Sequence, residues 1–171
     1  MKEKNGEHPF GDAGQLIFAG LFLAVWAADS FFLRGSTFLS DFIPLSFRLA
    51  VMALVLAMGI YLSWSGHTVI SRGQKAEGLK VTGAFRCVRH PLYLASMLFY
   101  LGLAISTASL FSLALLAAAF LFYNLIADYE EQLLEEKFGN EYLNYKNTTG
   151  RWIPGVCAKE QPNPPKLKTN S

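Results

Sequence analysis

The sequence predicts an all-α integral membrane protein with about four transmembrane helices. Apolar residues make up 52% of its 171 residues and charged residues only 16%, against about 25% charged in soluble proteins. The apolar residues fall in long blocks, as membrane-spanning helices require. One strongly basic polar segment separates these blocks. Together these features indicate a multi-pass protein with a cytoplasmic loop.

Residues 13–65 are predicted to form two N-terminal transmembrane helices after a polar N-terminal end, residues 1–12. The first span is expected over 13–33, and its rival interpretation is a signal peptide. The residues before it lack the net positive charge that a signal peptide prefers, so a retained span is favoured. Asp29 is a candidate functional residue because it is ionisable within a span, although placement at the far interface is favoured. The second span is expected over 46–65.

Residues 66–90 form the one substantial polar loop between the spans. By the positive-inside rule its basic excess places it on the cytoplasmic side. Glycines at 73, 78 and 83 favour turns over regular structure. Among the charged residues of this loop, Glu77 is the single acid and five residues are basic: Arg72, Lys75, Lys80, Arg86 and Arg89.

The apolar run over 91–127 is too long for one span of about 20 residues. The polar stretch 106–109 interrupts it, which predicts a helical hairpin of helices 91–106 and 109–128. A re-entrant hairpin is the alternative. In either case both outer ends return to the cytoplasmic side. Pro91 is predicted as the first helical residue, because its missing N–H has no helical partner there.

Residues 128–146 carry an apolar stripe among glutamates, which is typical of a helix leaving the membrane. Gly139 is the expected end of that helix, and a short helix containing Tyr142 and Tyr145 follows it. The final residues, 156–171, are predicted to be a disordered tail because they are rich in Pro, Lys and Asn.

Composition and motifs also argue against several functions. A net charge of +2 and the lack of a basic stripe give no support for nucleic-acid binding. No glycine fingerprint follows a predicted strand, so a dinucleotide-binding fold is not indicated. The two cysteines, Cys87 and Cys157, lack metal-ligand spacing, and no metal site is predicted.

A candidate site lies where the hairpin would bring its two outer ends together. Arg89 and His90 precede a helix start, whose unpaired N–H groups and partial positive charge favour an anion. Glu130 and Glu131 follow the other apolar helix and suit a cationic group. An antiparallel hairpin would place this basic corner beside the paired carboxylates, where they could hold a zwitterionic ligand.

These two motifs, in this order and spacing, resemble the isoprenylcysteine carboxyl methyltransferase family, which is similar in turn to membrane phospholipid methyltransferases. The first motif is Val88-Arg89-His90-Pro91-Leu92-Tyr93, and the second runs from Glu130-Glu131 to Phe138-Gly139-Asn140-Glu141-Tyr142. The resemblance covers about residues 66–155 as a methyltransferase core. It implies a multi-pass enzyme that binds S-adenosylmethionine in a pocket at the cytoplasmic end of the C-terminal helices.

Carried over by residue, the resemblance implies a set of cofactor-binding and catalytic positions. The cofactor-binding residues would be His90, Glu131 and Tyr93, with Leu79, Val81, Gly83 and Phe85 shaping the adjoining loop. The catalytic residues would be Arg89, Glu130 and Arg151, the last resembling a basic residue that faces the substrate.

The implied partners are membrane lipids and a lipophilic or lipid-linked methyl acceptor, whose identity and accepting atom (O, N or S) stay open. An NADPH-dependent membrane reductase of similar helical layout and a non-catalytic membrane scaffold are the alternatives. The sequence does not indicate an oligomeric state.

Overall fold

A computed structural model describes residues 11–73, 79 and 81–154, and within them the regular elements are helices. The first ten residues of the expected polar end and the whole expected tail lie outside the described residues. Short 3₁₀ turns occur at Phe38–Asp41 and Gly83–Arg86, and a π-helical turn over Ala28–Leu33 extends the first helix. The five α-helices are α1 (Gly11–Ala27), α2 (Leu45–Gly73), α3 (Pro91–Thr107), α4 (Leu110–Phe138) and α5 (Asn140–Thr148).

Three helical stretches among the described residues are long and apolar enough to cross a membrane: Ala13–Leu33, Leu45–Val69 and Leu110–Phe138. The fourth apolar helix, α3, is shorter at 17 residues. At 1.5 Å per residue it reaches about 25 Å, less than a typical 30 Å hydrocarbon core. The all-α class is confirmed, whereas a fourth full span stays a prediction.

Helix boundaries agree with the sequence at the start of α3 and the end of α4, but differ elsewhere. His90 is the cap and Pro91 the first residue of α3, and Gly139 ends α4 with φ 53°. α2 continues to Gly73, beyond the predicted end at residue 65, because no glycine or proline interrupts the polar residues after Gly66. α4 also continues without a break to Phe138, so the membrane helix and the helix predicted to leave the membrane are one element.

A two-residue connection joins α3 to α4. Ala108 adopts the left-handed conformation with φ 52°, and Ser109 caps α4 by accepting a hydrogen bond from the Ser112 backbone N–H.

The main apolar core forms where α1, α3 and α4 meet. Tyr100 and Met97 of α3 pack with Phe22 of α1 against residues of α4. α2 approaches α3 closely at Gly66 and Gly102, where a Cβ atom would lie 2.9 Å and 3.2 Å from leucine side chains. The small residues therefore allow α2 to lie directly against the helix that carries His90.

Asp29, in the π-helical turn that extends α1, links this helix to the α3–α4 connection by hydrogen bonds. Its side chain is buried, and it accepts hydrogen bonds from the Ser36 N–H at 3.0 Å, the Ser36 hydroxyl at 2.5 Å and the Ser109 hydroxyl at 2.7 Å. Ser36 in turn accepts the Phe111 N–H at 3.0 Å. The carboxylate thus faces the positive end of α4, which provides electrostatic compensation for its burial.

Arg48 of α2 binds the other helix end at this connection, which is the C-terminus of α3. Its guanidinium donates to the Ser106 carbonyl at 2.7 Å and to the Ile43 carbonyl at 3.1 Å. A cation at the C-terminus of α3 and an anion at the N-terminus of α4 both complement the helix dipoles. The N-terminal half therefore stabilises the connection between the two helices that carry the site.

Replacing Asp29 with Ala is expected to lower the free energy of unfolding by about 3 kcal/mol, because buried donors on Ser36 and Ser109 lose their acceptor. Heat unfolding of the purified protein in detergent measures this loss. Asp41→Ala, at an exposed position, is the matched control and should change stability little. Equal stability of the two variants would contradict the structural role given to Asp29.

Candidate active site

The start of α3 and the charged C-terminal part of α4 meet in one buried polar cluster. His90 Nε2 lies 3.2 Å from Glu131 Oε1, although the two residues are 41 positions apart. Pro91 begins α3 immediately after His90, so the imidazole is held at the helix cap. The two motifs that the sequence separated are therefore in direct contact.

Glu131 is the centre of this cluster, with only 1% of its side chain exposed. Arg89 Nε approaches its Oε1 at 3.0 Å. Arg151 donates to both carboxylate oxygens, each at 3.0 Å, and Lys146 Nζ lies 3.4 Å from Oε2. Three cations and an imidazole thus share one carboxylate, and its buried charge is compensated on several sides.

Arg89 also joins the site to the end of α5 and to the chain that follows it. Its Nη1 donates to the carbonyls of Lys146, at 3.0 Å, and Thr149. Its backbone N–H donates to the Gly150 carbonyl at 2.9 Å, beside a single β-bridge between Val88 and Gly150. We call residues 149–154 the C-terminal strap. These contacts hold the strap across the start of α3.

Glu130 differs from Glu131 in its surroundings. Its side chain is 24% exposed, and it accepts a hydrogen bond from the Tyr93 hydroxyl. Its Oε2 lies 3.6 Å from His90 Nδ1. The imidazole therefore lies between two carboxylates, one enclosed by the protein and one reaching the surface.

Aromatic rings pack around the His90 imidazole. The His90 ring stacks on Tyr93 with centroids 5.5 Å apart and planes inclined by 3°, and Tyr93 stacks on Tyr123 at 5.1 Å. Trp152 of the strap lies against His90 at 5.8 Å and donates its indole N–H to Asn124 Oδ1 at 2.9 Å. Such π-faces can attract a cationic group near the carboxylates.

The predicted loop residues lie around α5 and the end of α2. Val81 is buried against Tyr142 and Tyr145, and Leu79 packs on the same group. Phe85 accepts a hydrogen bond from the Tyr145 hydroxyl through its carbonyl, at 2.6 Å. A cofactor-binding role for these loop residues stays a prediction.

Gly83, the fourth predicted loop residue, has φ 57°. A Cβ there would lie 2.9 Å from Ser65 Oγ, so a side chain would be both strained and crowded. The structure thus gives this glycine a backbone role, and its part in cofactor binding stays a prediction as well.

Four residues outside the predicted catalytic and cofactor-binding set join the cluster: Asp128, Glu135, Lys146 and Trp152. Asp128 Oδ1 lies 2.7 Å from Arg151 Nη2. Asp128 precedes Glu131 by three positions on α4, and residues at this spacing lie on the same face of a helix. This spacing is the feature of the sequence that indicates Asp128 as a member of the cluster. Lys146 and Trp152 carried no comparable sequence signal, because their positions depend on how α5 and the strap fold back.

The ion pairs shift the pKa of the cations outside the helical spans. The hydrogen bond to Glu131 raises the pKa of Arg151, and the hydrogen bond to Glu135 raises the pKa of Lys146. Both side chains consequently stay protonated across the physiological range. Burial raises the pKa of the Tyr142 and Tyr145 phenols as well.

The raised tyrosine pKa values predict alkaline instability. Below the ordinary phenol pKa of 10.0 the tyrosines are protonated in both the folded and the unfolded chain, so their contribution to the free energy of unfolding is fully present. As the pH rises above that value, the unfolded chain releases phenol protons that the folded chain still retains. The free energy of unfolding should therefore fall above about pH 10. Tyr142→Phe should flatten that fall, as measured by chemical unfolding in detergent from about pH 8 to 11. An unchanged pH slope would contradict the buried phenol as its source.

The fold and the site define a helical protein of membrane type with a buried cluster of mixed charge. A family model described as phospholipid methyltransferase matches residues 45–141, more than half of the sequence. The chain therefore belongs to the phospholipid methyltransferase family, which confirms the membrane methyltransferase family that the motifs indicated. The isoprenylcysteine carboxyl methyltransferase subtype stays a prediction.

Two curated bacterial relatives share part of the sequence. One is the nickel-cobalt-cadmium resistance protein NccN of Alcaligenes xylosoxydans xylosoxydans, 35% identical over 83 residues. The other is the cobalt-zinc-cadmium resistance protein CzcN of Cupriavidus metallidurans, 36% identical over 83 residues. Each match covers 48% of this chain and 38% of the relative, well under half of the relative's length. No group of three or more metal-binding side chains occurs among the described residues.

Proposed function

We propose that the protein is an integral membrane methyltransferase that uses S-adenosylmethionine on a lipophilic or lipid-linked acceptor. Membership in the phospholipid methyltransferase family supports methyl transfer in a membrane. The observation that carries the proposal is the contact between His90 and Glu131, which unites both motifs in one cluster. Within the proposal, α3 and α4 form the hairpin, α3 is a fourth, short span, and the site faces the cytoplasm.

The charges of the cluster suit this cofactor. Among the residues that the structure describes, three cations, counted without His90, lie beside four carboxylates, which is an excess of one negative charge. S-adenosylmethionine carries a sulfonium, an ammonium and a carboxylate, and its net positive charge complements that excess. The cations are Arg89, Lys146 and Arg151, and the carboxylates are those of Asp128, Glu130, Glu131 and Glu135.

Exposure suggests which side chains would meet the ligand. Glu130, at 24% exposed, and the adjacent Tyr93 would bind a cationic group, while Arg151, at 24%, and Lys146, at 35%, would bind the carboxylate. Glu131, at 1%, would act by holding these cations in place. This assignment gives the contact with the cofactor to Glu130, whereas the resemblance implied it for Glu131, because the more exposed carboxylate is better suited to contact a ligand.

The cofactor supplies an activated methyl group for an in-line displacement. The protein's contribution is alignment and the exclusion of water, which together can lower a barrier by about 7–11 kcal/mol. A carboxylate acceptor needs no general base. A thiol or amine acceptor must lose a proton, and within the proposal Glu130 or His90 would take it.

A mostly apolar cavity of about 560 Å³ between α1, α2 and α3 supports a lipophilic acceptor. Its lining includes Leu56, Trp64, Ala95 and Phe99. Ala95 is the first of the lining residues on α3. It lies about 8 Å from His90 along the helix axis, at 1.5 Å per residue. A hydrocarbon chain in this cavity could place its polar end toward the site.

Equilibrium titration of the purified protein with S-adenosylhomocysteine tests the cofactor. We expect saturable binding and protection against heat unfolding, with no protection by NADPH. Protection by NADPH alone would favour the reductase, and protection by neither ligand would favour the scaffold. Methyl transfer from labelled S-adenosylmethionine to membrane lipids and lipophilic acids then identifies the acceptor class.

A further inference from the structure

Two consecutive side chains of the C-terminal strap contact α4 at different levels along its axis. Arg151 contacts α4 at Asp128 and Glu131, whereas the next residue, Trp152, contacts it at Asn124 and Phe120. This shift corresponds to about two helical turns, or roughly 11 Å along the helix axis. The side chains of the strap therefore reach both the charged cluster and the level of the apolar side chains of α4.

At that level the neighbouring surface is apolar and exposed. Phe120 is 42% exposed, Leu121 65% and Leu125 71%, all on a helix apolar enough to span a membrane. Ile153, beside Trp152 on the strap, is 80% exposed. An indole with one polar tip and adjacent aliphatic side chains is typical of a protein surface at the membrane interface.

Trp152 also stands between this surface and His90. One side of the imidazole is covered by Tyr93, and Trp152 covers it from the direction of Phe120. His90 is only 7% exposed as a result of its enclosure by these and other neighbours. A hydrogen bond to Asn124 fixes the indole N–H.

We propose that the C-terminal strap binds the bilayer surface and that Trp152 is its gate residue. Trp152 and Ile153 lie in the interface, with the indole forming the wall between the lipid and His90. Displacement of Trp152 opens a lateral path from the bilayer to the imidazole. This rests on the proposed function only in that the path would admit the lipophilic acceptor; the position of Trp152 in the membrane does not depend on it.

Fluorescence quenching in vesicles of brominated phosphatidylcholine tests the membrane contact. The Trp64→Phe protein retains Trp26 and Trp152, and the Trp64→Phe/Trp152→Phe protein retains Trp26, so the difference between them reports Trp152. We expect this difference signal to be quenched more by bromine near the headgroup than by bromine deep in the acyl chains. A Trp152 signal that no brominated lipid quenches would overturn the proposal.

Modification of His90 by diethyl pyrocarbonate in vesicles, followed by peptide mass spectrometry, tests the gate. Trp152→Ala should raise the modification rate of His90 several-fold. Asn124→Ala and Trp152→Phe each remove only the hydrogen bond that fixes the ring and keep an aromatic ring over His90, so they should raise the rate less. His67, which is exposed on α2, is the internal control and should react equally in all variants. An unchanged His90 rate in both Trp152→Ala and Asn124→Ala would overturn the gate.

The two proposals fail in different ways. Absence of S-adenosylhomocysteine binding would remove the cofactor assignment while leaving the quenching and the His90 rates as they are. Should Trp152→Ala fail to fold, the quenching of the native indole and the Asn124→Ala rate still decide the inference.

Discussion

Replacing Glu131 with Gln is expected to destabilise the protein by about 3–5 kcal/mol, because removal of one partner leaves buried charges without compensation. Arg89 has only 10% of its side chain exposed and would lose the anion that it faces. Arg151 would lose both of its contacts to a charged carboxylate on Glu131. Heat or denaturant unfolding in detergent measures the change, and S-adenosylhomocysteine binding should be lost with it.

Glu135→Gln is the matched control for this experiment. Glu135 lies one turn further along α4, has 32% of its side chain exposed and pairs with Lys146. Loss of a pair this exposed should cost less than about 1 kcal/mol. If the two glutamine variants were equally stable, Glu131 would not be the centre of the cluster.

Replacing Glu130 with Gln is expected to weaken S-adenosylhomocysteine binding by about tenfold to a hundredfold while changing the stability of the protein little. A hydrogen bond to a charged group contributes about 1.5–3 kcal/mol, which corresponds to that range of affinity. Stability should be largely retained because the Glu130 side chain, at 24% exposed, still meets water. Calorimetric titration and heat unfolding of the same sample give both quantities.

Glu136→Gln provides the comparison, since Glu136 is exposed on α4 and lies beyond the cluster. It removes the same charge from the same helix and should leave affinity unchanged. Tyr93→Phe should reproduce part of the Glu130→Gln effect, because it removes the hydroxyl that donates to Glu130. A Glu130→Gln protein with native affinity but greatly reduced stability would reverse the roles assigned to the two glutamates.

Local sequence signals predicted the helices and their ends at several points. Pro91 and Gly139 marked helix boundaries correctly because their backbone preferences act at the residue itself. Hydropathy likewise identified the apolar helices, since the requirement for about 20 apolar residues depends on composition alone. The end of α2 was predicted too early, because polarity indicates the membrane boundary and a helix can continue past it.

The meeting of His90 with Glu131 followed from the order of the motifs and an expected antiparallel arrangement of α3 and α4. The burial of Asp29 did not follow, because its partners, Ser36 and Ser109, come from a loop and a helix cap whose positions depend on packing. Interfacial placement was the natural expectation for a lone carboxylate near the end of a span.

The sequence by itself determined the class of this protein, its family and the residues of both motifs, because hydropathy, helix ends and motif spacing are local properties of the chain. Only the tertiary structure decided that Glu131 is enclosed while Glu130 reaches the surface, and that Lys146 and Trp152 belong to the site. Adjacent glutamates on a helix point about 100° apart, so which of them is buried depends on how α5 and the strap pack against that helix.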